Sequence, residues 1–285
     1  MQVLSSYDQL RAYRQALPPG HTLGFVPTMG ALHAGHAQLV AEARAQNTAV
    51  LVSIFVNPTQ FGPTEDLSRY PRTPEADLAL LEQLGADAVY TPAPEELYPP
   101  QGQLHISLTH TSRLLEGASR PGHFDGVALV VTKLLNQTHP TRLYLGQKDF
   151  QQTVVLRQLV HEAFLPVEVV VVPTVREPDG LARSSRNRYL SPAERTAAPQ
   201  LYRALSSAGQ QAQPGLASTA IVQAFAASLA LEPAFRLDYA EVVSGFTCQP
   251  LAALTPEDRP VLVAAAYLGT TRLLDNLPLL THTVG

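Results

Sequence analysis

Apolar runs at 22–26, 49–56, 88–90, 142–145 and 167–173 alternate with stretches at 35–45, 74–84, 126–136 and 150–163 whose apolar residues recur at helical spacing. Strand followed by helix, repeated, predicts a doubly wound parallel α/β sheet of the Rossmann-like type with both faces covered. In such sheets a ligand binds beyond the carboxyl ends of the strands, where loops lead into the next helix. Past a polar loop at 176–188 the pattern changes. Two Ala-rich helical segments, 192–211 and 217–231, precede strand-like 237–243, 261–266 and 272–274. That order predicts a smaller α+β domain, so the expected division is 1–175 and 176–285. The opening MQVLSSYDQLRAYRQAL has the polarity of an amphipathic helix and lacks the apolar core of a secretory leader. No stretch is long and apolar enough to predict a membrane span.

Composition narrows the function. Of 285 residues 45% are hydrophobic and only 15% charged, below the roughly 25% of ordinary soluble proteins. A net charge of −4 argues against the broad basic face that nucleic acid requires, so no nucleic-acid partner is expected. Twenty basic residues divide into 18 arginines and two lysines, Lys133 and Lys148. The single cysteine, Cys248, excludes an intramolecular disulfide and a Cys-only zinc site, fits a reducing cytoplasm, and reads as a small buried apolar residue.

Chemistry gathers in the loops after the strands. PTMGALHAGH carries His33 and His36 at the start of a helix, where backbone N–H groups and the helix dipole make an anion site and Gly30 and Gly35 allow close approach. A helix cap with two solvated histidines fits the same spacing, and zinc lacks a third ligand. In FVNPTQFG, Asn57 and Gln60 stand at a strand end, able to serve a hydroxylated ligand or simply to turn the chain at Pro58. RPGHFDGV sets Arg120 and His123 before a helix whose Lys133 reads as a snorkelling lysine. In LYLGQKDFQQ, Lys148 lies in a strand-to-helix turn with Asp149 as a candidate N-cap. A compact ammonium there suits a phosphoryl oxygen. ARSSRNR adds Arg183, Ser184, Ser185, Arg186 and Arg188, which is either a phosphate clamp or a solvated basic loop. Two histidines, a lysine and an Arg/Ser loop at one end of a sheet imply a polyphosphate nucleotide.

Taken in order, PTMGALHAGH, FVNPTQFG, YPRT, RPGHFDGV, GQKDFQQ and DGLARSSRN resemble the motifs of the pantoate:beta-alanine ligase family of the HIGH-motif nucleotidyltransferase superfamily, from about residue 20 to 200. The resemblance implies a two-step reaction. ATP and pantoate give pantoyl adenylate and pyrophosphate, and beta-alanine then displaces AMP. It also implies residue roles. Met29, Gly30, Ala31, Leu32, His33, Ala34, Gly35 and His36 correspond to the ATP-binding turn, with His36 assigned as proton donor. Gly146, Gln147, Lys148 and Asp149 face ribose and phosphate, and Val175 meets adenine through its backbone. Arg183, Ser184, Ser185 and Arg186 form a loop over the triphosphate. Gln60 and Gln152 hold pantoate, with Asn57 beside them. His36, His33, Lys148 and Arg186 are the implied catalytic set. Magnesium arrives mainly on the ATP phosphates, with no metal ligand assigned to the protein. The protein is expected to be a cytoplasmic homodimer whose second domain closes over the ATP site.

Three positions depart from the family pattern: Gln147 stands where Glu is usual, Arg183 replaces an apolar residue, and Ala76 precedes Asp77 where a second acid is common. The main alternative is another nucleotidyltransferase of the superfamily. A class I aminoacyl-tRNA synthetase lacks support from the acidic C-terminal part, and a nucleotide-binding scaffold would bind ATP without turnover.

Overall fold

The structure is a computed structural model and describes residues 1–63, 65 and 67–280; the last five residues of the predicted second domain lie outside them. The chain forms two compact units, 1–147 with 155–173, and 148–154 with 174 onward.

In the first unit β1 (Gln2–Leu4), α1 (Tyr7–Ala16), β2 (Leu23–Thr28), α2 (Ala34–Gln46), β3 (Ala49–Ile54), α3 (Pro74–Gln83), β4 (Ala88–Tyr90), the short α4 (Pro94–Leu97) and α5 (Glu116–Ser119), α6 (His123–Thr138), β5 (Arg142–Gly146), α7 (Phe150–Glu162) from residue 155 onward, and β6 (Glu168–Val172) follow one another. Every strand pairing is parallel, in the order β1-β4-β3-β2-β5-β6. The alternation of β-strand side chains divides the core in two. Phe25, Leu51, Tyr90 and Leu143 face a layer holding Leu10 of α1, Val131 of α6 and Leu156 of α7. Val26, Val52, Val89 and Tyr144 face Val40 of α2 and Leu81 of α3. This is the expected doubly wound sheet. The strand order reverses between β2 and β5, so the loop after β2 and the loop opening with Gly146 and Gln147 leave the sheet at its switch point.

The second unit contains α8 (Pro192–Ala197), α9 (Gln200–Gly209), α10 (Ser218–Leu229), β7 (Phe235–Val243), β8 (Val261–Leu268) and β9 (Thr271–Pro278). The three strands are antiparallel in the order β7-β8-β9. Leu201 and Leu205 of α9 and Ile221 and Phe225 of α10 pack with Leu262, Ala264 and Ala266 of β8.

The helix expected over 192–211 is broken: α8 ends at Ala197 and α9 begins at Gln200, with Pro199 at the N-cap. Proline has no N–H for a helix interior and clashes with the preceding turn, but it fits a helix start. β1 was not expected at all. Its three residues pair with β4 at the sheet edge, inside a segment whose polarity matched the helix that follows.

Candidate active site

The loop after β2 turns sharply. Gly30 and Ala31 both adopt left-handed backbone, with φ of 78° and 50°. A side chain at Gly30 would meet Asp77 Oδ2 and Ile54 Cγ2, each at 3.1 Å. For Ala31 this conformation costs on the order of 1 kcal/mol. The compensation comes from Asp77 in the first turn of α3, only 3% exposed. Its Oδ2 accepts the Ala31 N–H at 2.9 Å, and its Oδ1 accepts the Leu32 N–H at 2.8 Å and the Thr73 hydroxyl at 3.0 Å. Hydrogen bonds to a charged acceptor contribute about 1.5–3 kcal/mol each, enough to hold the strained pair.

His33 caps α2. Its Nδ1 accepts the Gly35 N–H at 3.1 Å, while the His33 N–H donates to His36 Nδ1 at 3.2 Å. A capping box normally uses Ser and Glu; here two imidazoles fill both places, with ring centroids 4.1 Å apart. A nitrogen that accepts carries no proton, so these contacts fit two neutral imidazoles with the proton on Nε2. The sequence suggested free backbone N–H groups as the anion site. In the structure the N–H groups of Ala31, Leu32, His33 and Gly35 are spent on Asp77 and on the two rings. Two neighbouring imidazoles thus stand at the start of α2.

Asn57 and Gln60 sit in the loop after β3, both buried. Asn57 Nδ2 donates to Gln60 Oε1 at 3.0 Å and to the Gly126 carbonyl at 3.1 Å, and Asn57 Oδ1 accepts from the Thr59 and Tyr98 hydroxyls at 2.9 and 2.7 Å. Both amide protons are already given, so Asn57 orients Gln60 rather than offering a donor to a ligand. The Gln60 amide is thereby fixed with Nε2 toward Met29 Sδ, 3.1 Å away. Lys133 hydrogen-bonds the Leu97 carbonyl and lies over the Tyr98 ring, 4.6 Å from its centroid. It is therefore a half-buried brace behind this loop, not the surface lysine that its helix position suggested.

The Gln60 backbone is gripped from the other side. His123 donates from Nδ1 to the Gln60 carbonyl at 2.8 Å, and Arg120 Nη1 approaches His123 Nε2 at 3.1 Å. Arg120 also forks onto Glu65 through Nε and Nη2, both at 2.7 Å. Burial first, and then the neighbouring Arg120 cation, depress His123 to about 4, so the ring is neutral near pH 7. Burial works to raise the Glu65 carboxyl, but the Arg120 fork outweighs it and holds it below its ordinary value.

In the second unit, Lys148 Nζ lies 3.1 Å from Asp149 Oδ1, and the Lys148 carbonyl accepts from Asn276 Nδ2 at 3.0 Å. A depression there is lined by Lys148, Ser184 and Arg186, together with Arg272 and Asp275. Ser184 caps the 3-10 turn Ser185–Tyr189 by accepting the Arg186 N–H. Val175 spends its carbonyl on the Arg183 N–H at 3.0 Å, and Gln152 is half-buried on the first turn of α7. Arg183 pairs with Glu177, six residues upstream, at 2.9 Å.

Sequence reasoning passed over Asp77 as a structural residue, gave Arg120 and His123 no role, and missed Arg176, which forks onto buried Asp275 at 2.6 and 3.0 Å and stacks on Tyr202. RPGH was a visible signal for the second. Arg176 and Asp275 are 99 residues apart, and nothing local joins them. For magnesium, no three His, Cys, Asp or Glu residues among those described come together as a ligand set. Asp77 directs both its oxygens to backbone N–H groups and to the Thr73 hydroxyl.

A parallel α/β sheet with a histidine-capped helix at its switch point defines a phosphate-directed nucleotide-binding protein. The chain belongs to the pantoate-beta-alanine ligase family, whose model matches residues 2–278. It is 49% identical over 279 residues to a pantothenate synthetase of Herpetosiphon aurantiacus, covering 97% of this chain and 99% of the relative. A pantothenate synthetase structure from Thermus thermophilus superposes with a TM-score of 0.91 at 46% identity, covering 98% and 99% of the two chains. A Francisella tularensis pantoate-beta-alanine ligase, complexed with beta-gamma ATP and beta-alanine, gives 0.81 at 35% identity over 99% of each chain.

Proposed function

We propose that the protein joins pantoate to beta-alanine at the expense of ATP, through a pantoyl adenylate. The observation that carries this reading is the His33–His36 pair, two imidazoles held side by side at the start of α2 at the switch point of the sheet. Family membership supports it independently.

In the first step a pantoate carboxylate oxygen attacks the α-phosphorus, the bond to the β-phosphate oxygen breaks, and pyrophosphate leaves. His33 and His36 donate to phosphate oxygens. Lys148 and Arg186 place positive charge where negative charge accumulates, which lowers the barrier to bringing two anions together. Gly146, Gln147 and Asp149 serve the ribose and phosphates, the Val175 backbone serves adenine, and Ser184 and Ser185 with Arg183 complete the phosphate loop. Magnesium enters on the nucleotide's own phosphates. Gln60, locked by Asn57, donates to pantoate, and Gln152 is its companion. In the second step the beta-alanine amine attacks the acyl carbon, the bond to AMP breaks, and a proton leaves the nitrogen.

No covalent enzyme intermediate is needed. Cys248 is fully buried, and burial pushes its thiol up to about 12, far from a working nucleophile. The same reading includes a homodimer working in the cytoplasm.

The test is to incubate the protein with ATP, magnesium and pantoate, with and without beta-alanine, and to follow pyrophosphate, AMP and pantothenate. Pantoate alone is expected to support exchange of labelled pyrophosphate into ATP, and adding beta-alanine to release AMP and pantothenate. Absence of beta-alanine-dependent AMP and pantothenate would overturn the ligase reading; their formation without pantoate-dependent exchange would overturn the adenylate.

A further inference from the structure

We infer that Asp77 is a positioning residue of the nucleotide turn: through the N–H groups of Ala31 and Leu32 it holds the backbone shape that allows His33 and His36 to share one cap and keep their protons on Nε2. This rests on the proposed ATP role of that turn.

Asp77 comes from α3, 46 residues beyond Ala31, so it is a tertiary clamp and not a local cap. Its carboxylate is nearly inaccessible and both oxygens are used, one N–H to each, with the Thr73 hydroxyl completing the set. The two clamped N–H groups belong to Ala31, the second of the left-handed pair Gly30–Ala31, and to Leu32, the residue after it. Successive N–H groups after left-handed backbone form an anion-binding concavity. Here the protein fills that concavity with its own carboxylate, so a ligand phosphate cannot. The turn begins from a fixed point as well, since the Thr28 hydroxyl donates to the Ser53 carbonyl at 2.8 Å and accepts the Gly30 N–H at 3.2 Å. Immediately after the clamped residues the chain places His33 at the N-cap of α2, and each ring nitrogen that faces backbone is an acceptor. Without the carboxylate, Ala31 has no compensation for its conformation, and the rings lose the backbone geometry that fixes their tautomers.

The variant Asp77→Asn keeps size but turns one acceptor into a donor facing an N–H. Three measurements are expected to move together. The KM for ATP rises about tenfold or more while the KM for pantoate changes far less. The Ala31 and Leu32 amides lose protection from hydrogen exchange. The 15N spectra of His33 and His36 pass from a single Nε2–H form to a mixture. The last two are read without substrate, so they test the clamp even if the ligase reading fails. Should Asp77→Asn not fold, Thr73→Val removes one of the three hydrogen bonds and is expected to give the same changes in smaller degree. A folded Asp77→Asn protein with unchanged imidazole spectra and unchanged KM for ATP would overturn the proposal. So would a loss of activity repaired by raising magnesium, which would make Asp77 a metal ligand.

Discussion

His123 makes the first unit sensitive to acid in a window that can be calculated. Its ring is neutral in the folded protein because charging it would set an imidazolium in a buried place beside the Arg120 guanidinium. The folded value of about 4 lies below the ordinary 6.5. As pH falls through 6.5 the unfolded chain therefore takes up the proton first, and stability is lost until the folded state also protonates near 4. Between pH 7 and 4.5 this amounts to roughly 2 kcal/mol, by linkage over the shifted interval. Glu65, held low by Arg120, begins its own loss as pH falls into the ordinary carboxylate range, where the unfolded chain starts to protonate; a reference protein that keeps Glu65 and changes only the histidine removes that contribution. The comparison is His123→Asn, whose amide can still donate to the Gln60 carbonyl but cannot titrate. Urea unfolding at a series of pH values, on wild type and variant, gives the difference in stability. The variant starts weaker at pH 7, having lost the ring contact with Phe124, and the gap is expected to narrow by roughly 2 kcal/mol toward pH 4.5. Parallel curves would show that the folded protein protonates His123 as easily as the unfolded chain does, and the argument from burial and Arg120 would fail.

Two further outcomes follow from the site. Lys148→Ala is expected to slow pantoate-dependent pyrophosphate exchange by about 10²- to 10³-fold, the usual scale for removing one contact to developing charge; near-normal exchange would leave Lys148 only its ion pair with Asp149. Gly126→Ala puts a Cβ 2.3 Å from the Thr59 carbonyl oxygen and 2.8 Å from the Gln60 nitrogen, both backbone atoms. The loop must move, at a cost of about 1–3 kcal/mol and with a higher KM for pantoate; an unchanged KM and melting temperature would show that the loop has slack.

The parallel sheet was legible because buried strands write themselves as apolar runs and covering helices as periodic ones. Strand order was not, since no local pattern says that β1 pairs with β4 or that β5 lies beside β2. Pro199 was in plain view as a helix breaker, yet the Ala-rich composition around it masked the break. At the site, the histidines, Gln60 and Lys148 were legible because their types and spacing are unusual. The groups that hold them were not. Asp77 looked like an ordinary acid near a helix start, and the two backbone N–H groups it accepts lie 45 and 46 residues away. Asn57 looked ligand-facing because an amide at a strand end can serve either purpose. Only the contacts with Gly126 and Tyr98 decide which.

Cys248 has a consequence beyond its chemical silence. It is the sole thiol of the chain, it belongs to the second unit, it is fully enclosed, and its backbone is left-handed, with φ of 57°. A thiol reagent can reach it only when the structure around it opens, and such reagents attack the thiolate that burial suppresses. The protein thus carries a chemical clock in one unit and none in the other. Its labelling rate times the opening of the structure around it in the second unit, and the His123 titration weighs a group in the first, so each unit carries its own native reporter.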